Sequence, residues 1–368
     1  MTTTVATLDL ERVQAFAQKV SGDQGLAANA VLAYLGDRLG IWRALAALPA
    51  ATSTELAART GLAERYLREW LAAQAAAGYL DYAPATGTFT LPPEYAAVLA
   101  DDDSPAALAG VFEFIAAAWA ASDRLAHAFA TGDGIAWHDQ DPRLTTAVER
   151  NFRPFYTGYL LAEWLPALDG VTDRLRAGAR VLDVGCGLGT ATLLMAEAFP
   201  ASVFTGVDAD LESVRRARAA AARAGVADRV TFRRADATDP ETDADTDSDD
   251  GTGHEWDLVC YFDALHDLGD PVGALRRARS TLAPGGVVLA VEPYAGDALE
   301  DNLNPVGLTW YASSTLVCVP SSLAQPGGAA LGAQAGPERL LATFRSAGFG
   351  RVRIAASTPF NLVIEARV

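Results

Sequence analysis

Acids, alternating glycines and one histidine are the residues of this chain whose types and spacing could do chemistry. Asp183 lies two residues before Gly185, and Gly187 and Gly189 follow at every second position. Glycine adopts positive φ easily and lets a ligand lie close to the backbone. A carboxylate at this turn repels a pyrophosphate but attracts a cation, such as a ligand with an ammonium and a sulfonium. The spacing also differs from the Gly-x-Gly-x-x-Gly fingerprint of dinucleotide sites.

His266 is the candidate general base. A neutral imidazole, with an ordinary pKa of about 6.5, suits removal of a proton from a phenol or hydroxyl group. It is the one histidine of four that follows a predicted strand at the edge facing the ligand crevice. Glu292, at the end of the neighbouring predicted strand, could hold the other ring nitrogen and fix the tautomer. The alternative, that His266 only hydrogen-bonds the following loop, stays open.

Metal chemistry is the less favoured alternative, and we predict no metal. The cysteines and histidines show no spacing typical of a metal site. A metal-assisted enzyme would use Asp263, Asp267 and Asp270, but their spacing places no clear trio on one side. The acidic insertion at residues 238–254 suggests a calcium-binding loop as an alternative. Counted from Asp245, however, the glycine falls at position 7 instead of 6, and position 12 is Trp256 instead of glutamate. We predict a solvated, disordered insertion there.

A domain of alternating strands and helices, residues 177–368, must position the candidate residues. Asp208, with Ala209 after it, ends the second strand and is placed to accept hydrogen bonds from ribose hydroxyls. Asp236 and Ala237 close the third strand, where they could contact an adenine edge. Strands are predicted at residues 180–184, 202–207, 229–233, 255–262, 287–291, 352–356 and 360–366. The short last connection makes the final strand antiparallel.

The N-terminal residues 1–100 are predicted to form a mostly α-helical winged-helix domain with a small hairpin. Helices are expected at residues 8–20 and 27–48, and the apolar face of the second suggests burial against a second subunit. Seven Lys and Arg against nine Asp and Glu give this segment a charge of −2 without a basic stripe. DNA binding is therefore disfavoured, and we predict a homodimer through this domain.

Aromatic residues mark a helical segment, residues 101–176, that is predicted to cover the active site and line a substrate pocket. Packing in the core is the alternative for most of these residues. A further insertion at 293–337 is predicted to be irregular. The candidate substrate residues from both segments are Phe155, Tyr156, Tyr159, Trp310 and Tyr311.

Bulk composition limits the classes of partner and the compartment. A formal net charge of −17 disfavours nucleic acid. Three cysteines are too few for a disulfide framework, so a reducing cytoplasm is expected. No signal peptide is evident, and the alanine-rich stretch 105–121 is too short to cross a bilayer. We expect a cytoplasmic protein that binds neither membrane nor nucleic acid.

The turn Asp183-Val184-Gly185-Cys186-Gly187-Leu188-Gly189 resembles motif I of the class I S-adenosylmethionine-dependent methyltransferases. Leu265-His266-Asp267-Leu268 resembles the Leu-His-Asp-Trp segment of plant-type small-molecule O-methyltransferases, with Leu268 in place of the tryptophan. The whole chain, including Cys318-Val319-Pro320, is similar to actinobacterial methyltransferases of that layout, apart from the acidic insertion.

The resemblance implies an N-terminal winged-helix domain that forms a dimer. It also implies that this domain is followed in the chain by a Rossmann-like class I methyltransferase sheet, parallel with an antiparallel last strand. It implies S-adenosylmethionine as cofactor and a histidine base, which would be His266. The predicted cofactor contacts are Asp183, Gly185, Cys186, Gly187, Gly189, Asp208, Ala209, Asp236, Ala237 and Phe262.

The function expected is O-methylation of an aromatic or polyketide-like small molecule, as in secondary metabolism. N- or C-methylation is the alternative within the class, and a ligand-sensing winged-helix DNA-binding regulator is the alternative outside it. The sequence leaves the acceptor open.

Overall fold

Two units make up the chain, Met1–Ala116 and Ala117–Val368. The computed structural model describes residues 8–239, 242–243, 248–249 and 255–368. Most of the predicted acidic insertion, 238–254, lies outside the described residues, so its predicted disorder stays a prediction. The predicted three-part division at residues 100 and 176 also stays a prediction.

The first unit consists of helices and one small antiparallel hairpin. Its elements are α1 (Leu10–Arg38), α2 (Ile41–Ala46), α3 (Ser53–Thr60), α4 (Glu64–Ala76), β1 (Asp81–Ala83), β2 (Thr88–Thr90) and α5 (Pro93–Leu99). The short helix predicted at 8–20 and the longer helix predicted at 27–48 are wrong in their boundaries. Gly22 and Gly25 do not break α1, which continues to Arg38, and Gly40, whose φ is 70°, lies between α1 and α2.

Two tryptophans join the helices of the first unit. The ring centroids of Trp42 and Trp70 lie 4.6 Å apart, and the rings pack edge to face. Their Nε1 atoms donate to the carbonyl oxygens of Ala33 and Leu32, both in α1. A Cβ at Gly36 would lie 2.6 Å from atoms of both rings, so only glycine fits there.

The second unit is built on a seven-stranded sheet in the order β10-β11-β9-β8-β3-β4-β5. Its strands are β3 (Arg180–Val184), β4 (Val203–Asp208), β5 (Val230–Arg234), β8 (Trp256–Phe262), β9 (Leu282–Pro293), β10 (Arg351–Ser357) and β11 (Asn361–Arg367). The pairs among β5, β4, β3, β8 and β9 are parallel, whereas β11 runs antiparallel to both β9 and β10. Between β5 and β8 lies a short pair, β6 (Thr242–Asp243) and β7 (Ser248–Asp249). The predicted α/β fold with an antiparallel last strand is confirmed.

Helices connect and cover these strands. They are α6 (Gly110–Ala120), which crosses the unit limit, α7 (Ser122–Thr131), α8 (Arg143–Phe155), α9 (Val171–Ala177), α10 (Thr190–Ala198), α11 (Leu211–Ala224), α12 (Pro271–Ser280), α13 (Pro305–Ser313), α14 (Val319–Leu323) and α15 (Gly336–Ser346). Wider π-helical turns occur at Tyr156–Trp164 and Ser314–Cys318. Within the described residues, none of the helices combines the length and apolar character needed to cross a bilayer.

The insertion predicted to be irregular, 293–337, is largely helical. Asn304 caps α13 by accepting a hydrogen bond from the Gly307 amide at 2.9 Å, and Pro305 occupies the first helical position. Both are ordinary helix-start signals that the prediction overlooked. The correction matters because this segment carries Trp310, Tyr311 and Cys318.

Alternate residues of the central strand belong to the two faces of the sheet, as the two-residue period of a strand requires. Val181 packs in the core on one face, and Leu182 and Val184 pack in the core on the other. Asp183 is therefore carried on the same face as Val181, where it is 1% exposed.

Candidate active site

The glycine turn joins β3 to α10, and all three glycines have positive φ, between 52° and 82°. A Cβ at Gly185 would lie 2.7 Å from the Cβ of Ala264, and one at Gly189 would lie 2.5 Å from Cζ of Phe232. Gly187 differs, because no atom lies within 4 Å of the position its Cβ would take. Two glycines thus allow close packing, and Gly187 leaves open space beside the turn.

Asp183 is a buried carboxyl group with one oxygen unsatisfied. Its Oδ2 accepts a hydrogen bond from Oγ1 of Thr192 at 2.5 Å, whereas its Oδ1 has no hydrogen-bond partner. Burial raises the pKa of Asp183 to about 7, partly offset by Thr192, and Asp208 raises it further. A cation beside Oδ1 would stabilise the ionised form.

Asp208 holds the loops at the end of β4. Its Oδ2 accepts from the amide of Gly187 at 2.8 Å, and its Oδ1 accepts from the amide of Asp210 at 2.9 Å. Burial raises the pKa of Asp208. Each carboxylate oxygen retains a second lone pair, so the predicted ribose contact is chemically compatible and stays a prediction. The neighbouring carbonyl of Ala209 accepts from Arg234 at 3.1 Å.

The remaining predicted cofactor contacts at this end of the site are Asp236, Ala237 and Cys186. Asp236 is exposed, and its Oδ1 accepts from the amide and hydroxyl of Thr238 at 2.8 and 2.5 Å. Ala237 packs partly buried against one core. Burial raises the thiol pKa of Cys186 well above its ordinary value, so this cysteine is a packing residue of low reactivity. The adenine contacts stay predictions.

Phe262 belongs to a buried aromatic cluster at the end of β8. Its ring centroid lies 5.9 Å from that of Tyr156, at 70°, and 6.4 Å from that of Trp164, at 25°. Tyr159 stacks on Trp164 with centroids 6.2 Å apart. The cofactor contact predicted for Phe262 stays a prediction.

His266 lies buried in a short 3₁₀ turn (Leu265–Asp267) after β8, with acids at both ring nitrogens. Nδ1 lies 2.6 Å from Oε2 of Glu292, which is 1% exposed. The other oxygen of Glu292 accepts from the Leu265 amide at 3.0 Å, so the carboxylate is fixed on both sides. Nε2 lies 3.2 Å from Oδ1 of Asp267, within ion-pair range but without hydrogen-bond geometry.

The electrostatics favour a charged imidazole. Burial lowers the pKa of His266, but Asp267, Glu292 and Cys318 together outweigh burial and raise that pKa well above 6.5. Burial raises the pKa of Asp267, while His266 lowers it. The two carboxylates therefore stabilise the protonated form of the imidazole against the cost of its burial.

Cys318 and Asp263 are site residues that are not among the predicted catalytic or cofactor contacts. The donor atoms of Cys318, His266 and Asp267 all lie within 4.8 Å of one another. Burial raises the pKa of the Cys318 thiol to about 12. Asp263 has a φ of 53°, its buried Oδ1 has no hydrogen-bond partner, and burial raises its pKa to about 8. A non-glycine residue at positive φ after a strand is often functional.

The candidate substrate residues form a chain of rings. Trp310 stacks on Phe152 with ring centroids 6.3 Å apart and an interplanar angle of 24°. The ring centroids of Phe155 and Phe360 lie 5.4 Å apart. Tyr156 is central, because burial, and after it the charges of Asp263, Asp183 and Glu149, raise its hydroxyl pKa well above 10. Tyr156 thus lies near acids of both the glycine turn and the His266 edge. Tyr311 is half-buried in α13.

Glu149 and Thr192 are polar residues of the site that the sequence analysis missed. Glu149, in α8, accepts from Oγ1 of Thr190 at 2.9 Å and from Nε of Arg153 at 2.8 Å. Thr192 is the third residue of α10, and its hydroxyl donates a hydrogen bond to Asp183. The Glu149–Arg153 spacing of four on a helix was a usable signal, but nothing local indicated the contact with the turn.

Together, the strand order, the antiparallel terminal strand and the glycine turn with its buried acid define the class I methyltransferase fold. Residues 27–101 match the family described as "Rv2258c-like winged HTH domain". Residues 175–342 match the family described as "Methyltransferase domain". The chain therefore carries an N-terminal winged-helix domain followed by a methyltransferase domain with the class I fold. The predicted family and cofactor class are confirmed.

Curated relatives match part of the chain, and solved structures share its fold. The 27-O-demethylrifamycin SV methyltransferase of Amycolatopsis mediterranei (strain S699) is 38% identical over 32% of this chain and 41% of its own length. The aligned stretches span 24% to 52% of the first curated relatives. The solved structure of PigF with SAH has a TM-score of 0.68 at 20% identity, covering 95% of this chain and 99% of that one. The mitomycin 7-O-methyltransferase MmcR has a TM-score of 0.62 at 21% identity, covering 97% and 100%.

Proposed function

We propose that this chain transfers a methyl group from S-adenosylmethionine to an oxygen atom of an aromatic or polyketide-like small molecule. The observation that carries the proposal is the pair of buried, unsatisfied carboxylate oxygens, Asp183 Oδ1 and Asp263 Oδ1. A buried acceptor without a partner is costly, so a site with two of them suits a cationic ligand.

The residues present fit S-adenosylmethionine. When bound, it supplies an activated methyl group on a sulfonium, so the protein mainly has to position the acceptor and remove its proton. Asp183 and Asp263 offer negative charge, Gly187 leaves open space, and Asp208 offers acceptor lone pairs for ribose hydroxyls. Asp236, Ala237 and Ala209 are proposed to contact the adenosine part.

Neutral His266, with its remaining proton on Nδ1 and its Nε2 proton released to solvent, is proposed to accept the proton of the acceptor hydroxyl at Nε2. Glu292 at Nδ1 orients the ring and compensates the positive charge that forms. Asp267 must leave Nε2 when the acceptor enters, and the high proton affinity of His266 favours taking the proton from a phenol. General-base catalysis of this kind contributes roughly 10²- to 10⁴-fold.

The acceptor is proposed to be flat and apolar. The rings of Phe152, Trp310, Phe155 and Tyr156 offer stacking faces, and aromatic pairs prefer such offset arrangements. Oxygen is preferred to nitrogen or carbon because the names of the rifamycin relative and of the mitomycin enzyme both specify O-methyl transfer.

The N-terminal unit is proposed to form the homodimer interface. Helix α1 exposes a row of large apolar side chains, which a second subunit would cover. They are Leu10, Val13, Phe16, Val20, Leu26, Val31 and Leu35. The three free cysteines fit a reducing cytoplasm.

The experiment that tests this function is turnover of S-adenosylmethionine with a panel of phenolic acceptors in the absence of DNA. Acceptor-dependent formation of S-adenosylhomocysteine supports the enzyme. Salt-dependent retention on DNA without turnover would instead favour a winged-helix regulator.

A further inference from the structure

The donor set around Nε2 of His266 suits a second kind of ligand. Three possible ligand atoms lie within 4.8 Å of one another here: Nε2 of His266, Oδ1 of Asp267 and Sγ of Cys318. These are the three donor types that zinc takes in proteins, and a tetrahedral site needs them about 3–4 Å apart. Nε2 and Oδ1 already lie 3.2 Å apart. Small side-chain shifts would therefore close the trio around one ion.

The surroundings supply the support that a zinc ligand needs. Glu292 holds Nδ1 of His266 at 2.6 Å and so directs Nε2 toward Asp267 and Cys318. A carboxylate behind the ligating imidazole is the usual arrangement at protein zinc sites. Oδ1 of Asp267 is buried without a hydrogen-bond partner, and Cys318 is 7% exposed. An unsatisfied oxygen thus points into a buried space that holds a thiol and an imidazole.

We propose that His266, Asp267 and Cys318 form a binding site for a zinc-type divalent cation. Binding replaces the thiol proton of Cys318 and the Nε2 proton of His266 with the metal ion, and both protons go to solvent. Water or an acceptor oxygen would complete the tetrahedron. Occupation would withhold Nε2 from an acceptor hydroxyl, so the ion and the proposed proton transfer exclude each other.

Cobalt(II) is the probe for this site, used on the reduced full-length chain after chelator treatment. We expect a thiolate-to-cobalt charge-transfer band and the intense visible bands of tetrahedral cobalt, both removed by stoichiometric zinc. Cys318→Ser should abolish the charge-transfer band, and Asp267→Asn should weaken cobalt binding by at least about tenfold. Cys260→Ala, which removes a buried thiol elsewhere in the sheet, should leave the spectrum unchanged.

Two results would overturn the site: a spectrum of hydrated octahedral cobalt, or a charge-transfer band that survives Cys318→Ser. Binding of S-adenosylmethionine, measured by calorimetry on the same samples, shows that each variant is folded. It also separates the two proposals, because failure of cobalt binding with intact cofactor binding rejects the metal site alone. Tetrahedral cobalt without cofactor binding supports the metal site and rejects the proposed function.

Discussion

Nδ1 of His266 and Oε2 of Glu292 lie 2.6 Å apart, although 26 residues separate them in the chain. Both side chains are buried, and each comes from the carboxyl edge of a different strand, β8 or β9. In an open parallel sheet this edge borders the ligand crevice. The pair therefore fixes an imidazole at the edge where the proposed acceptor binds.

Replacing the histidine tests the base. His266→Ala should reduce turnover by about 100-fold or more and leave S-adenosylmethionine affinity unchanged, because the ring acts on the acceptor. Steady-state rates and calorimetry measure the two effects. His127→Ala, which removes an exposed histidine in α7, is the control and should match the parent chain. Unchanged turnover in His266→Ala would refute the base role.

Cofactor affinity should depend on pH through Asp183. Its pKa is raised to about 7, so the site is partly protonated at neutral pH. A cationic ligand favours the carboxylate and releases the proton. The contribution of Asp183 to affinity should therefore rise with pH up to about 7, by up to about tenfold per pH unit, and level off above it. Calorimetric titrations across this range should show that Asp183→Asn binds S-adenosylmethionine more weakly and that its affinity changes less with pH. An equal slope in both proteins would exclude Asp183 as the titrating group.

Asp208 should support cofactor binding through its loop contacts and its free lone pairs. Asp208→Ala removes the acceptors of the Gly187 and Asp210 amides, so S-adenosylmethionine affinity should fall by about tenfold or more. Asp228→Ala, an exposed position beyond α11, removes the same charge and serves as the control. Equal affinities for the two variants would count against the ribose assignment.

Gly36 should be irreplaceable in α1. A Cβ there would lie 2.6 Å from Nε1 of Trp42 and from Trp70, so Gly36→Ala should lower the free energy of unfolding by about 1–3 kcal/mol. Gly22→Ala, in the same helix with no atom within 4 Å, should raise it by about 0.4–1 kcal/mol. Urea unfolding followed by tryptophan fluorescence measures both. A stabilised Gly36→Ala variant would contradict the packing.

The apolar row on α1 should mediate self-association. Phe16 is 67% exposed, and Phe16→Glu would place a charge in the proposed interface. Sedimentation should show a shift from dimer toward monomer at micromolar concentration. Gln14→Glu, which adds the same charge outside the apolar row, is the matched control. A Phe16→Glu variant that stays dimeric would place the interface elsewhere.

Much of the fold could be predicted because its signals are local. The strand segments, the glycine turn and the histidine edge each show in a few neighbouring residues, and the sheet has the predicted antiparallel end. The predicted helices at 8–20 and 27–48 miss the α1 boundaries because the segment between them, which holds Gly22 and Gly25, is also helical. The packing of Gly36 against two tryptophans depends on distant residues.

The remaining parts of the site depend on contacts that the sequence does not encode locally. Cys318 lies about 50 residues from His266, and a helical segment that was predicted to be irregular brings it to Nε2. Metal-binding motifs in which the ligands are close together in the sequence could not reveal these three residues. The contact of Glu149 with Thr190 also spans separate elements and has no local signature.

The central claim is methyl transfer to a small-molecule oxygen. The most direct measurement uses methyl-labelled S-adenosylmethionine, a panel of phenolic and polyketide-like acceptors, and no DNA. The account predicts labelled O-methyl product and an equal amount of S-adenosylhomocysteine from at least one acceptor, with the rate reduced about 100-fold in His266→Ala. Absence of acceptor-dependent product across the panel, from a folded chain that still binds the cofactor, would contradict it.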